Sequence, residues 1–214
     1  MRVRADLNIS LDGFATTEGG TPDNPMGPDW EKITGAYVAT RTFRARVFGD
    51  QSGAGTTGLD DDYAAHYFEG VGAEIMGAGM FGFHTAPEPS EWWGWWGDTP
   101  PFHCPVFVLT HQRTGSREMN GGTTFTFCSL APREVLALAR EAAGGLDVRV
   151  GGGPSTVREF LSHGLIDELH VAIAPVLLGR GINLWQGLRG WGEEYRVVTE
   201  VAESGTTHVT WSRE

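Results

Sequence analysis

Three consecutive glycines, Gly151-Gly152-Gly153, join the strand-like Val148-Arg149-Val150 to Pro154-Ser155-Thr156. Glycine lets a backbone approach a ligand closely. A helix that opens with proline at its first position turns its free N–H groups and positive end toward an anion. Ser155 and Thr156 add two hydroxyl donors. These residue types in this order suit a phosphate cradle, and three glycines exceed what a bare turn requires.

A second glycine cluster, Gly77-Ala78-Gly79-Met80-Phe81-Gly82, matches G-x-G-x-x-G after a short apolar stretch. A dinucleotide fingerprint of that spelling also needs a long helix behind it and an acid at the end of the next strand. Here Thr85-Ala86-Pro87-Glu88-Pro89 breaks any helix early, and the next strand ends in Thr110-His111. The segment therefore reads as a glycine turn able to line a pyrophosphate. Thr110, His111 and Arg113 follow a continuously apolar strand, where α/β sheets bind ligands, and suit an adenosine or its 2′-phosphate. Trp92-Trp93-Gly94-Trp95-Trp96 is suited to stacking a planar substrate, to a dimer interface, or to packing inside the domain.

The elements that must position these residues alternate. Val3 to Ser10, Ala73 to Met76, Pro105 to Thr110, Asp147 to Val150 and Glu168 to Val176 read as strands. The Pro105 strand is apolar on both faces, as in the middle of a parallel sheet. Helices are expected from Asp29, as N-cap before Trp30, Ile33 and Tyr37, and from Asp60-Asp61-Asp62 to Gly70. Two more are expected over Ala131 to Ala143 and Pro154 to His163. Three acids in a first turn suit the helix dipole better than a metal, because consecutive helical positions diverge around the axis. Thr16 to Pro28 reads as a lid-like loop, Phe48 to Gly58 as a mobile Gly/Ser/Thr-rich stretch, and Tyr195 to Val201 with Thr207 to Trp211 as an antiparallel hairpin. The pattern predicts a three-layer αβα fold, with a mostly parallel central sheet and an antiparallel C-terminal hairpin, in one domain over residues 1–214.

Composition narrows the partners. The net charge is −11 with only 16 Lys plus Arg and no basic run, so nucleic acid is not expected. No window holds 18 apolar residues, so no membrane span is expected. Met1 to Asp6 lacks the apolar core of a signal peptide, and Cys104 and Cys128 stand apart from any Cys-x-x-Cys pair. A cytoplasmic protein with two idle thiols and no metal is the expectation.

The ordered set Ile9-Ser10-Leu11-Asp12-Gly13-Phe14, Ile75-Met76-Gly77, Pro105 to Thr110, the triple glycine, Gly164-Leu165-Ile166-Asp167-Glu168-Leu169 and Pro175-Val176-Leu177-Leu178-Gly179-Arg180-Gly181 spans nearly the whole chain. It resembles the dihydrofolate reductase-like superfamily, specifically the C-terminal reductase domain of bacterial bifunctional riboflavin-biosynthesis deaminase–reductases. The resemblance implies NADPH, with NADH as the alternative, and hydride transfer to a small heterocyclic or carbonyl substrate. The model activity is that of a 5-amino-6-(5-phosphoribosylamino)uracil reductase. It places Gly13, Phe14 and Ala15 near the nicotinamide. Gly77, Ala78, Gly79 and Met80, with Gly151, Gly152, Gly153, Pro154, Ser155 and Thr156, fall on the pyrophosphate, and Thr110 and His111 on the adenosine side. It also implies a cis peptide between Gly151 and Gly152, and a homodimer.

The chain departs from the pattern in two ways. Ala78 stands where many relatives carry an arginine on cofactor phosphate, a charge for which Arg113 is the candidate replacement. The deaminase signature, His-x-Glu with Pro-Cys-x-x-Cys, is absent from the sequence. Asp12 and Asp29 are the candidate acids assisting protonation, each with the alternative of capping a turn or helix. The substrate is expected beneath the Thr16–Pro28 loop, near Asp12, Trp92 and Trp93. The alternatives are a nucleotide-binding module of the same fold without catalysis, or a dihydrofolate reductase.

Overall fold

The computed structural model describes residues 1–16, 19–21, 23–24, 26–84 and 91–213. The chain opens with β1 (Val3–Ser10), a short β2 (Phe14–Thr16), α1 (Trp30–Val38), α2 (Arg41–Val47) and α3 (Leu59–Phe68). Then come β3 (Val71–Gly77), α4 (Ala78–Phe81), β4 (Pro105–Leu109), β5 (Gly115–Glu118) and β6 (Thr124–Cys128). The rest is α5 (Pro132–Ala142), β7 (Asp147–Gly152), α6 (Pro154–Ser162), β8 (Glu168–Ala174), β9 (Ile182–Asn183) and the hairpin β10 (Arg196–Val201) and β11 (Thr207–Ser212).

The main sheet has the order β10-β11-β8-β1-β7-β3-β4-β6-β5. From β8 to β6 all neighbours run parallel, and both edges are antiparallel, with β5 beside β6 as well as the expected hairpin. The expected α/β architecture is therefore present. The five central strands predicted by pattern are all in it, β8 ending two residues early at Ala174.

The two faces of the sheet differ in chemistry. On one face Val3, Ala5, Ile9, Ile75, Val148 and Val150 meet α5 and α6 in an apolar core. On the other, Val106, Val108, Phe125 and Phe127 pack with Phe81, Phe83 and the tryptophan loop. The residues of β4 serve both layers, Phe107 one way and Val106 and Val108 the other, which is why its sequence is unbroken apolar. Beside that aromatic half, Arg4, Glu74, Arg149 and His170 lie buried, and Asp6 half-buried, beneath α1 and α3.

Several local expectations are corrected. Asp29 makes no side-chain capping bond; its carboxylate takes Lys32 Nζ at 2.6 Å and Arg180 Nη2 at 2.8 Å. The three acids do stand in the first turn of α3, as expected, but two of them also have tertiary partners. Asp61 is buried and accepts the Thr42 N–H, while Asp60 meets His208. The stretch before Phe48 holds α2, missed because seven residues with one buried side chain, Phe43, show no period. The strands β5 and β6 were also unpredicted; β5 is wholly exposed and carries no apolar signal. The cis peptide lies at Gly152-Gly153, one bond beyond the expected place. The ladder explains the shift, because β7 keeps Gly152 paired with Met76 and so holds the preceding bond in the strand. Thr85 to Pro89 and parts of the Thr16–Pro28 loop lie outside the described residues.

Candidate functional site

The carboxyl ends of β1, β7, β3, β4 and β6 lie side by side, and Asp12-Gly13, Gly151 to Gly153, Gly77 and Thr110-His111 sit at or just past the first four of them. The two glycine turns touch. A Cβ at Gly77 would fall on the Thr156 hydroxyl, and one at Gly152 would lie 3.2 Å from Met80 Sδ. Gly79 and Gly153, by contrast, have nothing within 4 Å of the Cβ position. Close packing thus explains Gly77 and Gly152, while Gly79 and Gly153 border open space. Gly153 is the N-cap of α6, and no side chain caps that helix. Its amino end keeps the donors and the positive dipole that an anion needs. This cradle fits a pyrophosphate.

Gly13 to Ala15 are bound to the same assembly. Leu184 N–H donates to the Gly13 carbonyl at 2.9 Å, and Asn183 Nδ2 donates to the Asp12 carbonyl at 3.0 Å. Arg158 of α6 donates to the Asn183 carbonyl at 2.8 Å, so one asparagine joins the Asp12–Gly13 turn to the helix behind the triple glycine. Sequence reasoning missed Asn183 and Arg158, since neither carries a local motif.

Asp12 faces the Pro175–Gly181 loop. It accepts from Ser10 Oγ at 2.5 Å, Leu178 N–H at 3.1 Å and Gly179 N–H at 2.7 Å. The Ser10 bond, and then the two amides, outweigh desolvation and hold its carboxyl below the ordinary aspartate value. Lys32 and Arg180 do the same for Asp29. Both candidate acids are carboxylates already supplied with donors. Arg180 in the loop and Asp29 at the start of α1 together tie the loop to the helix across the site's rim.

Beyond β4, Thr110 is buried and accepts the Gln112 N–H, and His111 Nδ1 meets Ser129 Oγ at 2.5 Å. Arg113 has turned into the aromatic cluster. Its guanidinium lies 4.5 Å over Trp93 and donates to the Trp92 carbonyl at 2.7 Å. Trp92 and Trp95 in turn donate their indole N–H groups to the Phe81 and Met80 carbonyls at the end of α4. Of the three readings of the tryptophan run, packing within the domain accounts for these contacts. It also anchors the Gly77–Met80 turn.

The model of the RibD C-terminal domain matches residues 2–190. The chain belongs to that family. Among curated proteins no sequence matches. Solved structures agree on the fold. A Shewanella sp. PV-4 protein named for riboflavin biosynthesis aligns over 100% of this chain and 99% of its own, at TM-score 0.63 and 20% identity. A Thermotoga maritima diaminohydroxyphosphoribosylaminopyrimidine deaminase/5-amino-6-(5-phosphoribosylamino)uracil reductase gives TM-score 0.54 at 15% identity. This family member spans 56% of that protein. Enterococcus faecalis dihydrofolate reductase, solved with NADP(H), gives 0.51 at 13% identity and covers 100% of this chain and 96% of its own. The resemblance read from sequence is thus the right family, and its sheet is that of dihydrofolate reductase-like proteins.

Proposed function

We propose that the protein is an NADPH-dependent reductase, with NADH as the alternative donor, acting on a small heterocyclic or carbonyl substrate related to the aminouracil of riboflavin biosynthesis. The observation that carries this reading is the contact of the two glycine turns, which leaves Gly79 and Gly153 open beside an uncapped helix end. When bound, the nicotinamide supplies a hydride. The chain's own part is alignment. Gly151 to Thr156 and Gly77 to Met80 hold the pyrophosphate, Thr110 and His111 the adenosine, and Gly13 to Ala15 present the ring face. Donor and acceptor held in contact convert a bimolecular step into a unimolecular one. Asp12 orders the Leu178–Gly179 backbone and Asp29 anchors Arg180, so both shape the substrate opening as anions.

The test is direct. NADPH and NADH are titrated by fluorescence quenching, and oxidation at 340 nm is followed across a panel of aminopyrimidines, pteridines and carbonyl compounds. Micromolar binding with turnover supports the reading, and a protein that binds neither dinucleotide refutes it. One observation favours a second reading, a nucleotide-binding module without catalysis: neither Asp12 nor Asp29 is held as a proton donor. Tight binding with no turnover on any substrate would select it; turnover confined to dihydrofolate would select a folate reductase.

A homodimer is part of the proposal. Strand β10 is an exposed edge carrying Val197, Val198 and Val201, the kind of row that invites a second chain. Light scattering is expected to give twice the chain mass, and Val198→Lys to give the monomer.

A further inference from the structure

A row of buried ionisable groups crosses the sheet beneath α3. Glu74 of β3 pairs with Arg149 of β7. Asp6 of β1 meets His170 of β8, with Oδ1 3.2 Å from Nδ1. His170 Nε2 lies 2.9 Å from Nδ1 of His208 on β11. His208 Nε2 lies 2.9 Å from Oδ1 of Asp60, at the start of α3. The two histidines are 7% and 3% exposed. The ring of Tyr63 stacks on both, 4.2 Å from each centroid, and its hydroxyl donates to Glu200 on β10. The chain Asp6–His170–His208–Asp60 belongs to no part of the cofactor cradle.

Proton counting constrains this chain. Each contact needs one proton, and a carboxylate brings none. The outer contacts place protons on His170 Nδ1 and His208 Nε2. The middle contact, nitrogen to nitrogen, needs a third. Two neutral rings carry only two. With two protons the middle contact sets lone pair against lone pair; with four it sets N–H against N–H. Three protons satisfy all three contacts, so the pair carries a single shared positive charge.

The carboxyls do not supply the third proton. Burial would raise Asp6, but the bond and charge of His170, then Arg149 and Arg4, outweigh it and hold Asp6 below the ordinary value. Asp60 Oδ1 receives the far end of the chain as the acceptor of His208 Nε2 at 2.9 Å. A second charge on the pair is opposed as well. Burial pulls His208 below the ordinary histidine value, the Asp60 bond resists, and the charge of His170 adds to the pull.

A cavity of about 40 Å³ is bounded by this chain together with Asn8, Tyr37 and Thr206. That volume suits about one water molecule. Asp6, Asn8 and Ser10 lie on one face of β1 by strand alternation, and Ser10 sits at the carboxyl end beside Asp12. The four-residue step from Asp6 to Ser10 is about 13 Å at the rise of a strand. Reduction of C=N or C=O needs a proton as well as a hydride, and the carboxylates at the rim are not proton donors.

We propose that the His170–His208 pair holds one shared excess proton and is the proton store of the reductase, discharging through the cavity beside Asn8. This rests on the reductase reading above. Hydride adds to the carbon of the C=N or C=O bond, and that bond's electron pair moves to the heteroatom. The heteroatom takes a proton from water at the Ser10 end of β1, and water along the Asp6–Asn8–Ser10 face relays the replacement from the pair through the cavity, so that the pair's charge falls from +1 to 0. Solvent reloads the pair from the Asp60 side.

The test has two independent arms. Histidine-labelled nitrogen–proton NMR of the wild-type protein near neutral pH is expected to show three protons on the four ring nitrogens of His170 and His208. Two protons would overturn the shared charge, and with it the store. In the second arm, His208→Gln and Asp60→Asn are compared with wild type for melting, NADPH affinity and the pH profile of kcat. The expected result is unchanged cofactor affinity and a kcat about 10-fold or more lower, as for loss of a proton-transfer group. The wild-type fall in kcat at rising pH, as the store empties, is expected to be lost. Folded variants with wild-type kcat and profile overturn the proposal. A wild type that shows three protons and binds NADPH yet reduces nothing fails the reductase reading instead, and the shared charge stands.

Discussion

A Cβ placed on Gly151 would fall on the buried carboxylate of Glu74. Glu74 has no exposed surface, and its other oxygen pairs with Arg149. The first glycine of the triplet is therefore required by an acid on the neighbouring strand. The third, Gly153, meets nothing within 4 Å and borders open space.

The two positions should respond oppositely to the same substitution. Gly151→Ala is expected to lower stability by about 1–3 kcal/mol through overpacking. Gly153→Ala, at a φ of −74°, is expected to keep the denaturation midpoint while weakening NADPH binding by about 10-fold, a loss of ~1.4 kcal/mol. Urea denaturation and cofactor titration of both variants decide this; equal effects on stability would contradict the division of roles.

The Glu74–Arg149 pair predicts strong non-additivity. Glu74→Gln strands a buried guanidinium, which also lies 3.6 Å over the Tyr67 ring, and should cost about 3–5 kcal/mol. Glu74→Leu with Arg149→Met removes both charges and should recover most of that loss. A double-mutant cycle in urea measures the coupling, and additive losses would argue against it.

Asp12 predicts a particular pH dependence. Its folded value is depressed below 3.8 by Ser10 and then by the Leu178 and Gly179 amides. A depressed acid contributes stability that is full above its unfolded value and lost as pH falls through the folded one. The stability gap between wild type and Asp12→Asn should therefore be constant from pH 5 upward and close below about pH 4. A gap that grows in acid would contradict the assignment.

Arg113 is held by aromatic rings, with Trp93 at 4.5 Å and Phe127 at 5.1 Å. Arg113→Gln is expected to lower the melting temperature while leaving the ratio of NADPH to NADH affinity within about twofold, under 0.5 kcal/mol. Collapse of that ratio would show that the guanidinium serves the 2′-phosphate after all.

Much of this protein was legible in its sequence because the signal was local. The strand patterns of β1, β3 and β7, the apolar run of β4, the amphipathic α5, the proline-opened α6 and the two glycine turns all declare themselves within a few residues. With the ordered motifs these residues determined the parallel middle of the sheet and the family. What they could not determine was partnership across the chain. Glu74 behind Gly151, Arg158 beside Asn183, Asp29 with Arg180, and Asp6 with His170 join residues 25 to 164 positions apart. Only the tertiary structure decided that Asp12 clamps a loop, that Arg113 serves the tryptophans, and that two histidines meet nitrogen to nitrogen. Periodicity reports which way a side chain faces. What it faces is set by strand order and register, which bring distant residues within a hydrogen bond of each other.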